Sequence, residues 1–257
     1  MRIGRMLRDG APHFAVQNDR SGRWAWVDGR LSAAPTAGEL VPEGVTTTVF
    51  AAIDPRLLVG TANTPRTGIA DVPLTVFLKS PHTVVAGGVP VIARTPAGVF
   101  AEAEIAAVIG RRMSSASASD ALDHVLGYTV VNDVTDQPEI ARDPRLFRAK
   151  NGSARTPAGA WIETDFDPSG AEITIAVDGR TVAAASVADL HVSIAEQLAY
   201  ISEWTVLEPG DVVMTGCPGT GAVVRPGETV EVAVGGLGSV RSTVLLAPDQ
   251  RKPHLHV

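Results

Sequence analysis

The segment Gly98-Val-Phe-Ala-Glu-Ala-Glu-Ile-Ala-Ala-Val-Ile-Gly110 decides how this chain is read. As a strand it places Phe100, Glu102, Glu104, Ala106 and Val108 on one face and Val99, Ala101, Ala103, Ile105 and Ala107 on the other. Two carboxylates are thus neighbours on one face of an otherwise almost wholly apolar run. Two residue rises separate their backbones, about 7 Å, so both side chains can converge on one cation. Buried together without a cation they would repel, and one would have to keep a proton. A hard divalent ion ligated by oxygen removes that cost. The plainer alternative is a strand with one solvated face, on which Glu102 and Glu104 are ordinary surface charges.

A third carboxylate bears on that choice. Asp133 ends the apolar run Gly127-Tyr-Thr-Val-Val-Asn-Asp-Val134. Three carboxylates carry −3 and a divalent ion returns +2, so an enolate substrate would need a further positive charge. A lysine is a natural source. The chain has only three, Lys79, Lys150 and Lys252, among 22 basic residues. Codon bias is the plain cause of such scarcity; under it, a lysine retained away from the terminus is a candidate for a position where a compact point charge serves better than a guanidinium, which nominates Lys79 and Lys150.

The rest of the composition narrows the setting. The 257 residues are 45% hydrophobic, enough for a substantial core, and the net charge is −6. No basic block offsets that charge, so neither nucleic acid nor an anionic membrane surface is an expected partner. Cys217 is the sole cysteine, which rules out an intramolecular disulfide or a cysteine-rich zinc site and suits a reducing cytoplasm. No run approaches the roughly 18 apolar residues of a membrane span. The start, with Arg2, Arg5 and Arg8 followed by Asp9-Gly10, does not read as a signal peptide.

Along the chain, Asp9-Gly10 and Asp28-Gly29 mark turns between short strands, and 33–48 reads as a Pro/Gly/Thr-rich linker. The expected organisation is a small β-rich appendage over 1–45, a main domain over 46–250 and a tail over 251–257. In the main domain, strands are expected at 73–79, 98–109, 128–134, 172–177, 180–186, 211–216, 228–234 and 239–246, with a tight hairpin at Asp178-Gly179. Two helices are expected. One runs from Ser114 to Leu126 and is closed by Gly127; the other runs from Asp189 to Trp204, with Leu190, Ile194, Leu198 and Ile201 on one face. Strands dominate without regular βαβ alternation, which points to a mixed, strand-rich α/β roll with few helices.

Five motifs in order now resemble one family. They are Phe77-Leu-Lys-Ser80, Glu102-Ala-Glu104 running into Val108-Ile-Gly110, Gly127-Tyr-Thr-Val-Val-Asn-Asp133, Lys150, and Pro209-Gly-Asp-Val-Val-Met-Thr-Gly-Cys-Pro-Gly-Thr-Gly221. This series, spanning about 50–246, is similar to that of the fumarylacetoacetate hydrolase family. The resemblance implies a mixed β-roll, a homodimer, and Mg²⁺ or Mn²⁺ held by Glu102, Glu104 and Asp133. It implies a small carboxylic acid substrate, handled by C–C hydrolysis, decarboxylation or keto–enol isomerisation. Lys150 matches the lysine that would stabilise an enolate, and Lys79 matches a pocket position. In the Thr215–Gly221 loop, Thr215, Gly216 and Thr220 are candidates to bind the substrate carboxylate, and Cys217 has no adjacent base that would make it a nucleophile.

The chain also departs from the family pattern. Hydrolytic members carry Asn-Tyr-x-x-His-x-x-Glu, whose His–Glu pair activates water. Here the stretch is Asn63-Thr-Pro-Arg-Thr-Gly-Ile-Ala70, so those two slots hold Thr67 and Ala70, which cannot act as bases. Asn63 and Arg66 are left as candidate substrate contacts. His82, just after Lys79, is the one candidate replacement base; His124 and His191 fall within the expected helices. The segment after Asp133 resembles the branch of 2-hydroxyhepta-2,4-diene-1,7-dioate isomerases and related decarboxylases. The expectation is therefore a metal-dependent isomerase or decarboxylase of a 2-oxo or 2-hydroxydienoate acid in aromatic catabolism, acting through an enolate at the metal. A C–C hydrolase using His82 and a non-catalytic metal–acid binder are the alternatives. Specificity is expected from Arg66, Arg155 and the 136–149 loop, where Arg142, Arg145 and Arg148 would bind a distal carboxylate or lie solvated.

Overall fold

The computed structural model describes residues 1–17, 22–28, 31, 35–45, 50–62 and 74–248. Among these, thirteen strands form one sheet and five form a second. In the larger sheet the spatial order places strand Val99–Ile109 between Val125–Asn132 and Val212–Met214. The second sheet runs 180–186, 172–177, 229–234, 238–246 and 91–93. A strand-rich roll with few helices is what the irregular strand order requires, and the expected fold class holds.

The 99–109 strand is the hub. Val99, Ala101, Ala103, Ile105, Ala107 and Ile109 enter one core cluster, with Val230, Val232 and Val240 of the second sheet. Ala106 and Val108 enter another, with Leu58, Val131, Ile162 and Met214. The two-residue period therefore sorts side chains as expected, but both faces are covered. A near-continuous apolar run fits such a position, since each face supplies a core. The solvated-face alternative does not occur: Glu104 is 1% exposed.

Two helix expectations change. No α-helix forms over Ser114–Leu126; a short 3₁₀ turn covers Ala121–His124 and a strand begins at Val125. The serines and Asp120 bond to one another, with Ser117 Oγ 2.7 Å from both Ser119 Oγ and Asp120 Oδ2, which competes with helical pairing. Gly127 is not a helix stop. It lies in the strand, where a Cβ would meet the Glu163 carbonyl oxygen at 2.4 Å. The second helix is Ile194–Trp204, beginning five residues later than expected. Ser193 caps it in a reciprocal box with Glu196, while Asp189 closes a separate 3₁₀ turn at Val187–Asp189. Neither His124 nor His191 lies in an α-helix.

The Asp9-Gly10 and Asp178-Gly179 hairpins form as expected; Gly29 of the Asp28-Gly29 turn lies outside the described residues. The stretch read as a linker contains a strand, Thr36–Leu40, paired with Trp24–Asp28. The N-terminal strands are joined to the main sheet, because Arg2–Arg8 pairs with Trp161–Glu163. Residues 251–257 lie outside the described residues.

Candidate active site

The backbone brings the carboxylates together first. Where the 99–109 and 125–132 strands pair, Val131 faces Glu104 and Asn132 faces Ala103. The Asp133 N–H then donates to the Glu102 carbonyl at 2.9 Å. Asn132 Oδ1 accepts the Glu102 N–H at 3.2 Å, and the Thr135 hydroxyl donates to Glu102 Oε2 at 3.0 Å. Sheet register thus sets Asp133 beside Glu102.

Two lysines arrive from separate elements. Lys79 ends strand Thr75–Lys79 and Lys150 ends the short helix Phe147–Lys150. Lys79 Nζ donates to Asp133 Oδ1 and to the Arg155 carbonyl, each at 2.6 Å. Lys150 Nζ donates to Asp133 Oδ2 at 2.5 Å and Glu102 Oε2 at 2.9 Å, and stands 4.7 Å from the centre of the Phe77 ring. The Phe-Leu-Lys motif therefore contributes a ring to one lysine and an ammonium to the carboxylate it shares.

The third carboxylate has a poorer environment. Glu104 Oε2 accepts the Gly216 N–H at 3.0 Å. Gly216 supplies it from φ +78°, a left-handed conformation that favours glycine. Burial, together with the charges of Asp133 and Glu102, holds Glu104 well above the usual carboxylate range. Burial would raise Asp133 as well, but the ammoniums of Lys150 and Lys79 outweigh it and hold that carboxyl low. Burial pulls Lys79 down despite Asp133. Lys150 is also buried, yet Asp133, Glu102 and Glu104 together push it up.

The donor set fits a hard divalent cation: three carboxylates, all oxygen, with Glu104 buried and its carboxyl held high. Glu102, Glu104 and Asp133 would hold the ion. As they stand, Lys150 bridges Glu102 and Asp133, and among the described residues no three such side chains are gathered for ligation. An ion held there would compete with Lys150 for Glu102 Oε2 and Asp133 Oδ2.

The other sequence candidates are distributed around this centre. The hydroxyls of Thr215 and Thr220 donate to the carbonyls of Ile105 and Ala103, each at 2.9 Å, so they brace their loop on the 99–109 strand. His82 is exposed in the turn after Lys79. Asn63 and Arg66 lie outside the described residues. Arg155 is buried against Asp136, with 1% exposure, rather than facing solvent. Arg142 and Arg148 pair with the buried side chain of Glu139 at 3.3 and 2.6 Å. Cys217 Sγ lies 3.4 Å from Glu102 Oε1, and burial with the Glu102 and Glu104 charges pushes its thiol up, against any nucleophilic role.

Sequence reasoning missed Gln197. It is fully buried, accepts from the Thr61 hydroxyl at 2.8 Å, and donates to the carbonyls of Val192 at 2.9 Å and Thr215 at 3.1 Å. It thereby ties the 194–204 helix to the loop that holds Glu104. Its signal was available: a glutamine three residues after Ile194 and four before Ile201 sits within the apolar stripe.

Comparison with known proteins places the chain in a family. Protein Rv2993c of Mycobacterium tuberculosis is 33% identical over 176 residues, covering 66% of each chain. The 4-hydroxyphenylacetate degradation bifunctional isomerase/decarboxylase of Escherichia coli is 35% identical over 176 residues, which is 66% of this chain but 41% of that protein. This chain thus matches just under two thirds of the first relative's length and less than half of the second's. The crystal structure of 5-carboxymethyl-2-hydroxymuconate delta-isomerase from Mycobacterium smegmatis superposes with a TM-score of 0.84 at 27% identity, covering 96% of this chain and 100% of that one. The fumarylacetoacetate (FAA) hydrolase C-terminal family matches residues 57–245, and the chain belongs to that family.

Proposed function

We propose that this protein is a Mg²⁺- or Mn²⁺-dependent enzyme of aromatic-compound catabolism. It would act on a 2-oxo or 2-hydroxydienoate acid by keto–enol isomerisation or decarboxylation. The observation that carries the reading is that Lys150 is hydrogen-bonded to both buried Asp133 and part-buried Glu102, on the strand that also carries buried Glu104. The isomerase and isomerase/decarboxylase names of similar proteins support the same class.

A divalent ion held by the three carboxylates would supply Lewis-acid polarisation of the substrate's carboxylate and neighbouring oxygen. The chain's own residues do the rest. Lys150 places a positive charge where electron density collects after proton loss or release of CO₂, and its burial keeps that charge effective. Lys79 holds Asp133 in place from the other oxygen. Phe77 covers one side of Lys150 and excludes water there. Neither reaction needs an activated water, which accords with Thr67 and Ala70 standing in the slots of a His–Glu pair.

The proposal extends to a homodimer in the cytoplasm. The outer strand Thr75–Lys79 leaves Val76 and Leu78 38% and 60% exposed beside Trp204, 77% exposed, around a cavity of about 430 Å³. That apolar face suits a second copy. No helix among the described residues is long and apolar enough to cross a membrane.

The test is to follow 2-hydroxydienoate absorbance, and oxaloacetate loss, with Mg²⁺ or Mn²⁺ for the wild type and Glu102→Ala. The reading requires metal-stimulated turnover that the variant loses. Equal rates for the two proteins contradict it.

A further inference from the structure

Outside the carboxylate–lysine cluster lies a second buried pair of charges. Arg155 Nη2 stands 3.6 Å from Asp136 Oδ2, and both side chains are almost wholly buried. The fit is loose. Arg155 Nε and Nη1 have no hydrogen-bond partner, and burial pulls the guanidinium below its ordinary range. Half-exposed Arg94 approaches the same oxygen at 3.9 Å. A buried pair so poorly matched is a weak source of stability, because desolvating two charges offsets their attraction.

Its connections suggest another role. The Arg155 carbonyl accepts the Lys79 ammonium at 2.6 Å and also the Val134 N–H at 3.1 Å, next to Asp133. The Asp136 N–H donates to the Ala149 carbonyl at 2.8 Å, one residue before Lys150. The pair therefore ties together the segment leaving Asp133, the turn ending in Lys150 and the segment entering strand Thr156–Ala158. We infer that Arg155 is a positioning residue: its buried guanidinium, packed against Asp136 at 3.6 Å without a hydrogen bond, keeps in place the backbone carbonyl that aligns Lys79 on Asp133. Neither Arg155 nor Asp136 needs to touch substrate or metal. The inference rests on Lys79 and Asp133 belonging to the site proposed above, and its test does not depend on which reaction that site performs.

The three lysines of the chain make the test direct, since selective ¹⁵Nζ-lysine labelling yields at most three ammonium signals. Spectra of the full chain would be compared for wild type, Arg155→Met, Asp136→Asn and Arg155→Lys, with Lys79→Met identifying the Lys79 signal. Arg155→Met and Asp136→Asn should each shift that signal and speed its exchange with water by about tenfold or more, as misalignment of the charge-assisted hydrogen bond from Lys79 to the residue 155 carbonyl implies. Arg155→Lys should restore part of both. A Lys79 signal unchanged in the two variants, whatever their melting temperatures, overturns the inference. So does failure of both to fold, which would assign the pair to stability alone. If the Lys79 signal moves as expected but no dienoate is turned over by the wild type, the positioning role stands and the proposed reaction fails.

Discussion

Lys79 and Lys150 hold opposite oxygens of one carboxylate: Lys79 Nζ is 2.6 Å from Asp133 Oδ1, and Lys150 Nζ is 2.5 Å from Asp133 Oδ2. With Glu104 protonated, the two ammoniums balance Asp133 and Glu102, and the buried cluster carries no net charge. Adding a divalent ion and releasing the Glu104 proton leaves a single positive charge. That surplus suits an anionic substrate and the negative charge that develops on it.

Replacing Glu104 by glutamine mimics its protonated form. Glu104→Gln should keep or raise the melting temperature in chelator, since it removes a buried acid crowded by two others. Its Mg²⁺ affinity should fall by about 100-fold or more, as for loss of a ligand rather than an outer partner. Calorimetric titration and a melting curve read both effects.

The raised Glu104 carboxyl sets a pH dependence. In chelator its contribution to stability is complete below the carboxylate's unfolded pKa and is lost as pH rises through the higher folded value. Asp133, held low, contributes in the opposite sense: its share is present above the unfolded value and is lost as pH falls through the folded one. Mg²⁺ binding should release a proton wherever Glu104 starts protonated, so the observed binding enthalpy should vary with buffer ionisation enthalpy. The stabilisation by Mg²⁺ should grow as pH rises through the folded Glu104 value.

Lys150→Met separates charge balance from chemistry. Without metal it leaves Glu102 and Asp133 facing each other with one ammonium fewer, and should cost about 3–5 kcal/mol. Mg²⁺ should recover much of that loss. Turnover should stay lower by about 10²–10³-fold, the usual effect of removing one stabiliser of developing negative charge. Melting curves with and without Mg²⁺, read beside kcat, test both parts.

Gln197→Leu removes the link from the helix to the Glu104 loop. It removes the hydrogen bonds that Gln197 makes with the Thr61 hydroxyl and with the Val192 and Thr215 carbonyls, and a loss of about 1–3 kcal/mol is expected. Denaturant unfolding measures it. Because Gly216 follows Thr215, Mg²⁺ affinity should weaken as well.

Strand positions were legible where periodicity and burial agreed. The 99–109 run alternates into two cores as its sequence suggests, and both internal lysines reach Asp133, with Lys150 bridging from it to Glu102. What escaped was decided by partners distant in sequence. Gly127 looks like a helix stop until the Glu163 backbone is seen pressed against it. The 36–40 strand looks like linker because its pairing with 24–28, rather than its own composition, makes it a strand. Thr215 and Thr220 look like ligand donors, but the adjacent strand takes their protons. Arg155 looks like a specificity residue because nothing local shows that Asp136 will cover it.

Metal-dependent rearrangement or decarboxylation, without hydrolysis, is the reaction proposed for this site. The most direct measurement is the mass of products formed from a 2-hydroxydienoate diacid in H₂¹⁸O, with Mg²⁺ and with chelator. Mg²⁺-dependent formation of an isomer, or of a product lighter by CO₂, is expected, with the same outcome for His82→Ala. Two cleavage fragments, one bearing an ¹⁸O carboxylate and both lost in His82→Ala, would contradict it.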